Sequence, residues 1–246
     1  MKKTILSLAL LAASALSVHA GGILDDLKYD LRAGYNIGGT MPMGMPASIR
    51  SLDAYRPTLS VMLGLGVYKP LTDKWGLTTG LRLENKGMDI DATVKNYHME
   101  AVNEDGSGKV VGAWTGGVRT KVRNNYLTFP ILATYSLGKR WQVSAGPYFS
   151  WMFDGEFSGE AHDGYIRDID PTGTKAEVSR AIYDFSSDLR RFHWGLQAGG
   201  EFRAYKHLSV MLNLQWGLNG IFPSDFESVT FDLYPIYATL GFSYVF

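Results

Sequence analysis

A chain of 246 residues carrying 24 Lys and Arg against 24 Asp and Glu is electrically balanced, which argues against a nucleic-acid partner, since phosphate binding favours a basic face. The absence of cysteine excludes a disulfide framework, a thiolate metal site and a lipid-modified cysteine. A mean hydropathy of −0.07 goes with the lack, after the first residues, of any uniformly apolar segment of the ~20 residues a spanning helix needs, which excludes a helical membrane bundle.

At the start of the chain, Lys2 and Lys3 precede an apolar run over residues 5–16, and Val18-His19-Ala20 ends on a small residue. This order predicts a secretory signal, 1–20, cleaved before Gly21; a retained N-terminal anchor is the alternative. Cleavage leaves 22 basic and 24 acidic residues, a formal charge of −2, in a length suited to one domain. A lead-in over 21–27, with Asp25-Asp26 solvated in the periplasm, would then open into a single domain over 28–246.

Period-two alternation begins at once. Tyr29, Leu31, Ala33, Tyr35 and Ile37 interleave with Lys28, Asp30, Arg32, Gly34 and Asn36. The same period recurs over 58–67, 77–86, 126–135, 142–151, 192–203, 208–216 and 234–246, so eight strands are predicted, each with one apolar face. No Asp, Glu, Lys or Arg falls on an apolar face. A charge facing lipid near the midplane costs roughly 2–4 kcal/mol, so the pattern suits a bilayer. The reading is an all-β protein, a transmembrane antiparallel up-and-down β-barrel of about eight strands.

A soluble lipocalin-like barrel also alternates, but it points its apolar face inward and its polar face to water. Here the polar faces are rich in Gly, Ser and Thr, which suits a cramped lumen. Aromatic residues also fall in two groups: Trp75, Trp141, Tyr205 and Phe246 at one set of strand ends, Trp151, Trp194, Trp216 and Tyr234 at the other. Two girdles match two membrane interfaces. Connections over 69–74, 137–140 and 204–207 are tight, whereas those over 38–57, 87–125, 154–191 and 217–229 are long. Short periplasmic turns and long extracellular loops are the outer-membrane pattern. Ten strands remain an alternative if part of a long loop crosses the membrane, but 89–123 is charge-rich and reads as a hairpin projecting beyond it.

The chain ends Thr239-Leu240-Gly241-Phe242-Ser243-Tyr244-Val245-Phe246. Thr239, Gly241, Tyr244 and Phe246 resemble the terminal signal read by the barrel assembly machinery, which implies that machinery as a partner during biogenesis. Asn125-Tyr126-Leu127-Thr128-Phe129-Pro130, then Ser144-Ala145-Gly146-Pro147-Tyr148, with Lys86-Gly87 ahead of both, resembles the PorT-like outer-membrane barrels of the Bacteroidota. The resemblance covers roughly 29–246. It implies an integral outer-membrane protein amid lipid and lipopolysaccharide; some relatives serve a secretion apparatus, and most have no assigned role.

Inward charges at Lys28, Asp30, Arg32, Arg82, Glu84, Lys86, Glu201 and Arg203 could line a pore or pair into a plug. Eight strands enclose an interior just wide enough for side chains, and mixed signs favour pairing. Asp168-Ile169-Asp170-Pro171-Thr172-Gly173 begins like a calcium loop, but Ser179 stands where a bidentate Glu is needed, so a solvated acidic loop fits better. Met41, Met43 and Met45 could hold a soft metal, or could brush headgroups or a partner. His162-Asp163 is the one His–carboxylate neighbour pair and lacks an identifiable nucleophile. The expectation is a non-enzymatic surface protein without metal or cofactor, its lumen plugged and its loops displayed for partner binding, adhesion or envelope integrity. A porin-like narrow channel, a secretion-complex accessory and an outer-membrane hydrolase or acyltransferase are the alternatives.

Overall fold

A computed structural model describes residues 26–103, 109–167, 172–226, 228–229 and 231–246. The predicted signal, most of the lead-in and the acidic start of the 168–173 motif lie outside the described residues. Ten strands follow in order: β1 (Lys28–Pro42), β2 (Ile49–Pro57), β3 (Val61–Pro70), β4 (Trp75–Asn103), β5 (Lys109–Leu137), β6 (Trp141–Arg167), β7 (Lys175–Asp184), β8 (Phe192–Tyr205), β9 (Leu208–Gly217) and β10 (Leu233–Val245). All pairings are antiparallel.

Eight of these strands close a barrel in the order β1-β3-β4-β5-β6-β8-β9-β10. The seam joins the first strand to the last, from Asp30 opposite Val245 to Pro42 opposite Leu233. Gly241 permits close approach there, because a Cβ at this position would run into the carbonyl of Ala33. The resulting closure leaves no sheet edge in the bilayer, where an unpaired backbone group finds no water.

Leu31, Leu63, Leu65, Leu81, Leu83, Leu196, Leu214 and Phe242 are all exposed on the outside of this wall. Trp75 stacks at a tilt on Tyr135 and Trp141 on Phe202, both with centroids 4.8 Å apart, at the end bearing the short turns. Trp151, Trp194 and Trp216 are exposed at the other end. Trp141 and Trp151 lie ten residues apart on β6. At roughly 3.4 Å per residue and a tilt of about 40°, that is about 26 Å of height, matching the ~25 Å apolar band of such barrels.

Three of the four long connections contain strands: the segment read as a projecting hairpin is paired β-structure, and the strands within 38–57 and 154–191 correct the sequence reading. Residues 87–103 and 109–125 continue β4 and β5 as a long antiparallel pair beyond the outer girdle, from Gly87 opposite Arg123 to Val102 opposite Lys109. The segment 154–191 holds the upper part of β6 and all of β7, and 38–57 holds β2. β7 pairs with β6 along one side and touches β4 at Val102 and Asn103, closing a smaller ring, β4-β5-β6-β7, above the membrane. β2 covers the adjoining edge of β4. Neither β2 nor β7 belongs to the eight-strand circuit.

Along β4 the two faces exchange character at the girdle. Up to Lys86 the inward face is polar (Thr78, Arg82, Glu84, Lys86) and the outward face is Leu77, Leu81 and Leu83. Above it, Met88, Ala92 and Val94 are buried, while Asp89, Asp91 and Thr93 point away. Lipid outside demands one arrangement and water outside the other, so a single strand carries both. On β6 an extra residue near Phe153 shifts the register against β5, so that Met152 and then Phe157 both face inward.

Candidate functional site

The interior divides into three levels. At the middle, Lys86 Nζ donates to Glu84 Oε2 at 2.8 Å and to Gln215 Oε1 at 2.5 Å. Thr128 Oγ1 donates to Glu84 Oε2 at 2.7 Å, and Gln215 Nε2 to Glu84 Oε1 at 3.2 Å. Arg82 donates to Gln197 Oε1 at 2.9 Å, and Gln197 donates to Asn213 at 3.2 Å. The rings of Tyr126, Tyr148 and Tyr237 surround Lys86 Nζ with centroids 5.3, 5.8 and 5.6 Å away, a cation–π cage. Both Lys86 and Glu84 are buried. These partners come from β4, β5, β6, β8, β9 and β10, so the network ties most of the barrel wall across its axis.

Sequence reasoning named the charges and missed their partners. Gln197, Gln215, Thr128 and the tyrosines all stand on the inward parity of their strands, and that parity was the available signal. Arg82, Glu84 and Lys86 lie together in the lumen. Arg32 donates from Nε and Nη2 to both oxygens of Asp30, with Glu201 Oε2 3.6 Å away. Lys28 and Arg203 depart from the expectation: both are exposed at the turn end and take no part in the buried network. Each stands one same-face step beyond its strand's last inward carboxylate, where the wall opens to water.

Below the network, a pocket of about 520 Å³ opens at the turn end, lined among others by Lys28, Asp30, Arg32, Lys139, Arg140, Glu201 and Arg203. Above it the lumen runs into an apolar core of Tyr126, Met152, Met88, Val122, Phe157, Tyr183 and Leu189, into which the 217–233 connection adds Ile221, Phe222, Val229 and Leu233. Phe222 stacks on Phe226 at 4.2 Å and meets Phe157 edge-on at 5.0 Å. Trp114 is wholly buried in this layer, its indole N–H directed at the Gly117 carbonyl. Burial pushes the phenols of Tyr97 and Tyr183 above their ordinary range.

On the outside of the upper ring, ion pairs cross five strands in series: Arg56–Asp91 at 2.6 Å, Asp91–Arg119 at 2.8 Å, Arg119–Glu160 at 2.7 Å and Glu160–Arg180 at 2.7 Å. The Arg56 hydrogen bond, then that of Arg119, holds the Asp91 carboxyl below its usual range. Exposed pairs contribute little to stability, so this ladder fixes strand register and gives the surface its charge pattern. Met41, Met43 and Met45 are exposed at the outer rim. His162 Nδ1 lies 2.9 Å from Asp163, which is itself almost fully exposed at a bulge.

The terminal residues occupy the seam. Thr239 Oγ1 donates to Asn36 Oδ1 at 2.7 Å inside the barrel, Tyr244 and Phe246 face outward, and the Phe246 N–H donates to the Tyr29 carbonyl at 3.0 Å. Tyr234 is half-buried at the outer end of β10, opposite Met41.

The sequence family described as outer membrane protein beta-barrel domain matches residues 20–223. This chain belongs to that family. Membership goes with an outer-membrane location. Among solved structures, the attachment invasion locus protein Ail of Yersinia pestis, solved with the heparin analogue sucrose octasulfate, aligns at 10% identity over 89% of this chain and 97% of that one, with a TM-score of 0.38. The outer membrane protein OprG of Pseudomonas aeruginosa aligns at 14% identity over 89% and 95%, with a TM-score of 0.31. An outer membrane channel of Pseudomonas putida F1 aligns at 11% identity over 89% and 94%, with a TM-score of 0.28. No curated protein sequence matches the chain.

Proposed function

We propose that this protein is a non-enzymatic outer-membrane β-barrel whose filled lumen serves as a rigid post, holding an ordered extracellular platform for a partner protein or a neighbouring surface. The observation that carries this reading is the upper ring β4-β5-β6-β7. It is built as water-soluble β-structure, with its own apolar core inside and the Arg56-to-Arg180 charge ladder outside, and barrel closure does not need it. Long connections resting on a rigid scaffold are where binding residues concentrate. In this reading the chain is exported by a cleaved signal peptide and inserted by the barrel assembly machinery through Thr239, Gly241, Tyr244 and Phe246. It then lies among outer-membrane lipid and lipopolysaccharide.

The Tyr126-Leu127-x-x-Pro130 and Gly146-Pro147-Tyr148 strands support a position beside the PorT-like barrels of the Bacteroidota. A secretion-complex accessory is therefore the second reading, and a narrow channel is less favoured by the hydrogen-bonded crossing at Lys86.

Replacing 90–120 with an Asn-Gly turn and 157–189 with a second short turn tests the platform, because Asp89 and Lys121 are already opposite one another. The trimmed chain should stay membrane-inserted and heat-modifiable on gels. Crosslinking on intact cells should recover protein partners with the full chain and lose them with the trimmed one. Partners retained at full strength would move the binding site to the lipid face or the periplasmic turns and refute the proposal.

A further inference from the structure

The pocket at the periplasmic end is layered by charge. On β1 the outermost inward residue is Lys28 and the next inward is Asp30; on β8 they are Arg203 and Glu201. Same-face neighbours on a strand lie about 7 Å apart, so both strands set a cation at the rim and a carboxylate one step deeper. Lys139 and Arg140 in the turn between β5 and β6 add to the rim, against Asp73. No carboxylate among the described residues lies within ion-pair distance of Lys28, Lys139, Arg140 or Arg203.

The deeper layer has spare acceptor capacity. Arg32 spends its fork on Asp30, for which Gly66 across the strand pair leaves room. Glu201 keeps one hydrogen bond, from Ser243 Oγ at 2.8 Å to Oε1. Its Oε2 is 3.6 Å from Arg32, beyond hydrogen-bond distance. Among the groups that line the floor, Asp30 and Glu201 outnumber Arg32; Arg82, buried behind them, acts on Asp30, so Glu201 is the carboxylate left for a ligand, beneath a rim with an excess of positive charge.

We propose that this vestibule is a binding site for a small zwitterionic solute of the periplasm. Its ammonium enters first to reach Glu201, and its carboxylate or phosphate stays about 7 Å behind, among Arg203, Arg140 and Lys28. A volume of about 520 Å³ falls in the range of small-molecule sites. A plain anion would satisfy the rim and leave the floor unpaired; a plain cation would do the reverse.

The test is a titration of the folded, isotope-labelled protein in detergent micelles, followed by NMR, with 6-aminohexanoate as the probe. N-acetyl-6-aminohexanoate carries only its anion and 6-aminohexanamide only its cation. The zwitterion should give saturable shifts centred on Glu201, Arg203 and Lys28, and each single-charge compound should bind at least tenfold more weakly. Glu201→Gln, which keeps an acceptor for Ser243, should weaken the zwitterion at least fivefold while the protein stays heat-modifiable. Equal binding of either single-charge compound, or no saturable shift with the unmodified protein, would overturn the proposal whatever the variant does.

Discussion

Glu84→Ala should lower the unfolding free energy of the barrel by about 3–5 kcal/mol, the cost typical of removing one partner from a buried ion pair. The side chain of Glu84 has no exposed surface, and it accepts from Lys86, Thr128 and Gln215. Truncation would strand the Lys86 ammonium in a space walled by three tyrosines, with the Arg82 guanidinium still nearby and the carboxylate that acts most strongly on it, Glu84, gone. Denaturant unfolding in detergent micelles, read by the heat-modifiable gel shift, measures the loss. Glu84→Gln with Lys86→Met removes both charges together and should recover much of it, because replacing a buried pair by uncharged groups is often near neutral. A loss under about 1 kcal/mol for Glu84→Ala would show that water already reaches the network and screens it.

Trp114→Ala should cost a similar amount, about 3–5 kcal/mol, but in a different part of the molecule. Trp114 is fully buried in the upper core, beyond the outer girdle. Removing it leaves a cavity in the part of that core farthest from the Lys86 network, so the effect should stay local. Trypsin should then cut the native variant at Arg119, Lys121 or Arg123, which lie on the charged face of β5. The barrel's gel shift should be unchanged. If barrel and platform were lost together, the upper ring would be part of one cooperative unit rather than a structure mounted on the post.

Much of this design is legible in the chain itself, and the parts that were hidden have physical reasons. The eight spanning strands announce themselves because lipid tolerates no charge on one face, so Leu77, Leu81 and Leu83 stand out against Arg82, Glu84 and Lys86. Past Lys86 the alternation does not stop; it changes sign. Met88, Ile90, Ala92 and Val94 occupy the parity that was polar below, with Asp89, Asp91 and Thr93 between them. A template that expects apolar residues outside reads such a stretch only as a charge-rich projecting hairpin and misses its apolar inner face. The bulge at Phe153 hides the continuation of β6 in the same way, since one extra residue breaks the count by two. The partners of Glu84 and Lys86 were hidden for another reason: Gln197, Gln215 and Thr128 meet them only through barrel closure, far along the chain.

The mouth shows the limit of parity from the other side. Lys28 and Arg203 have the same parity as Arg32 and Glu201, and period two alone puts all four in the lumen. Depth decides instead, and depth depends on where the wall ends relative to the short turns, which sequence locates only to within a residue or two.

The filled crossing beneath the platform is the central claim, and single-channel recording of the unmodified protein in planar bilayers tests it most directly. With Lys86, Glu84, Gln215, Gln197 and Arg82 bonded across the axis and an apolar core above them, the expected result is a flat trace with no steady conductance. Stable, ion-selective steps from the unmodified protein would contradict it and make transport the function.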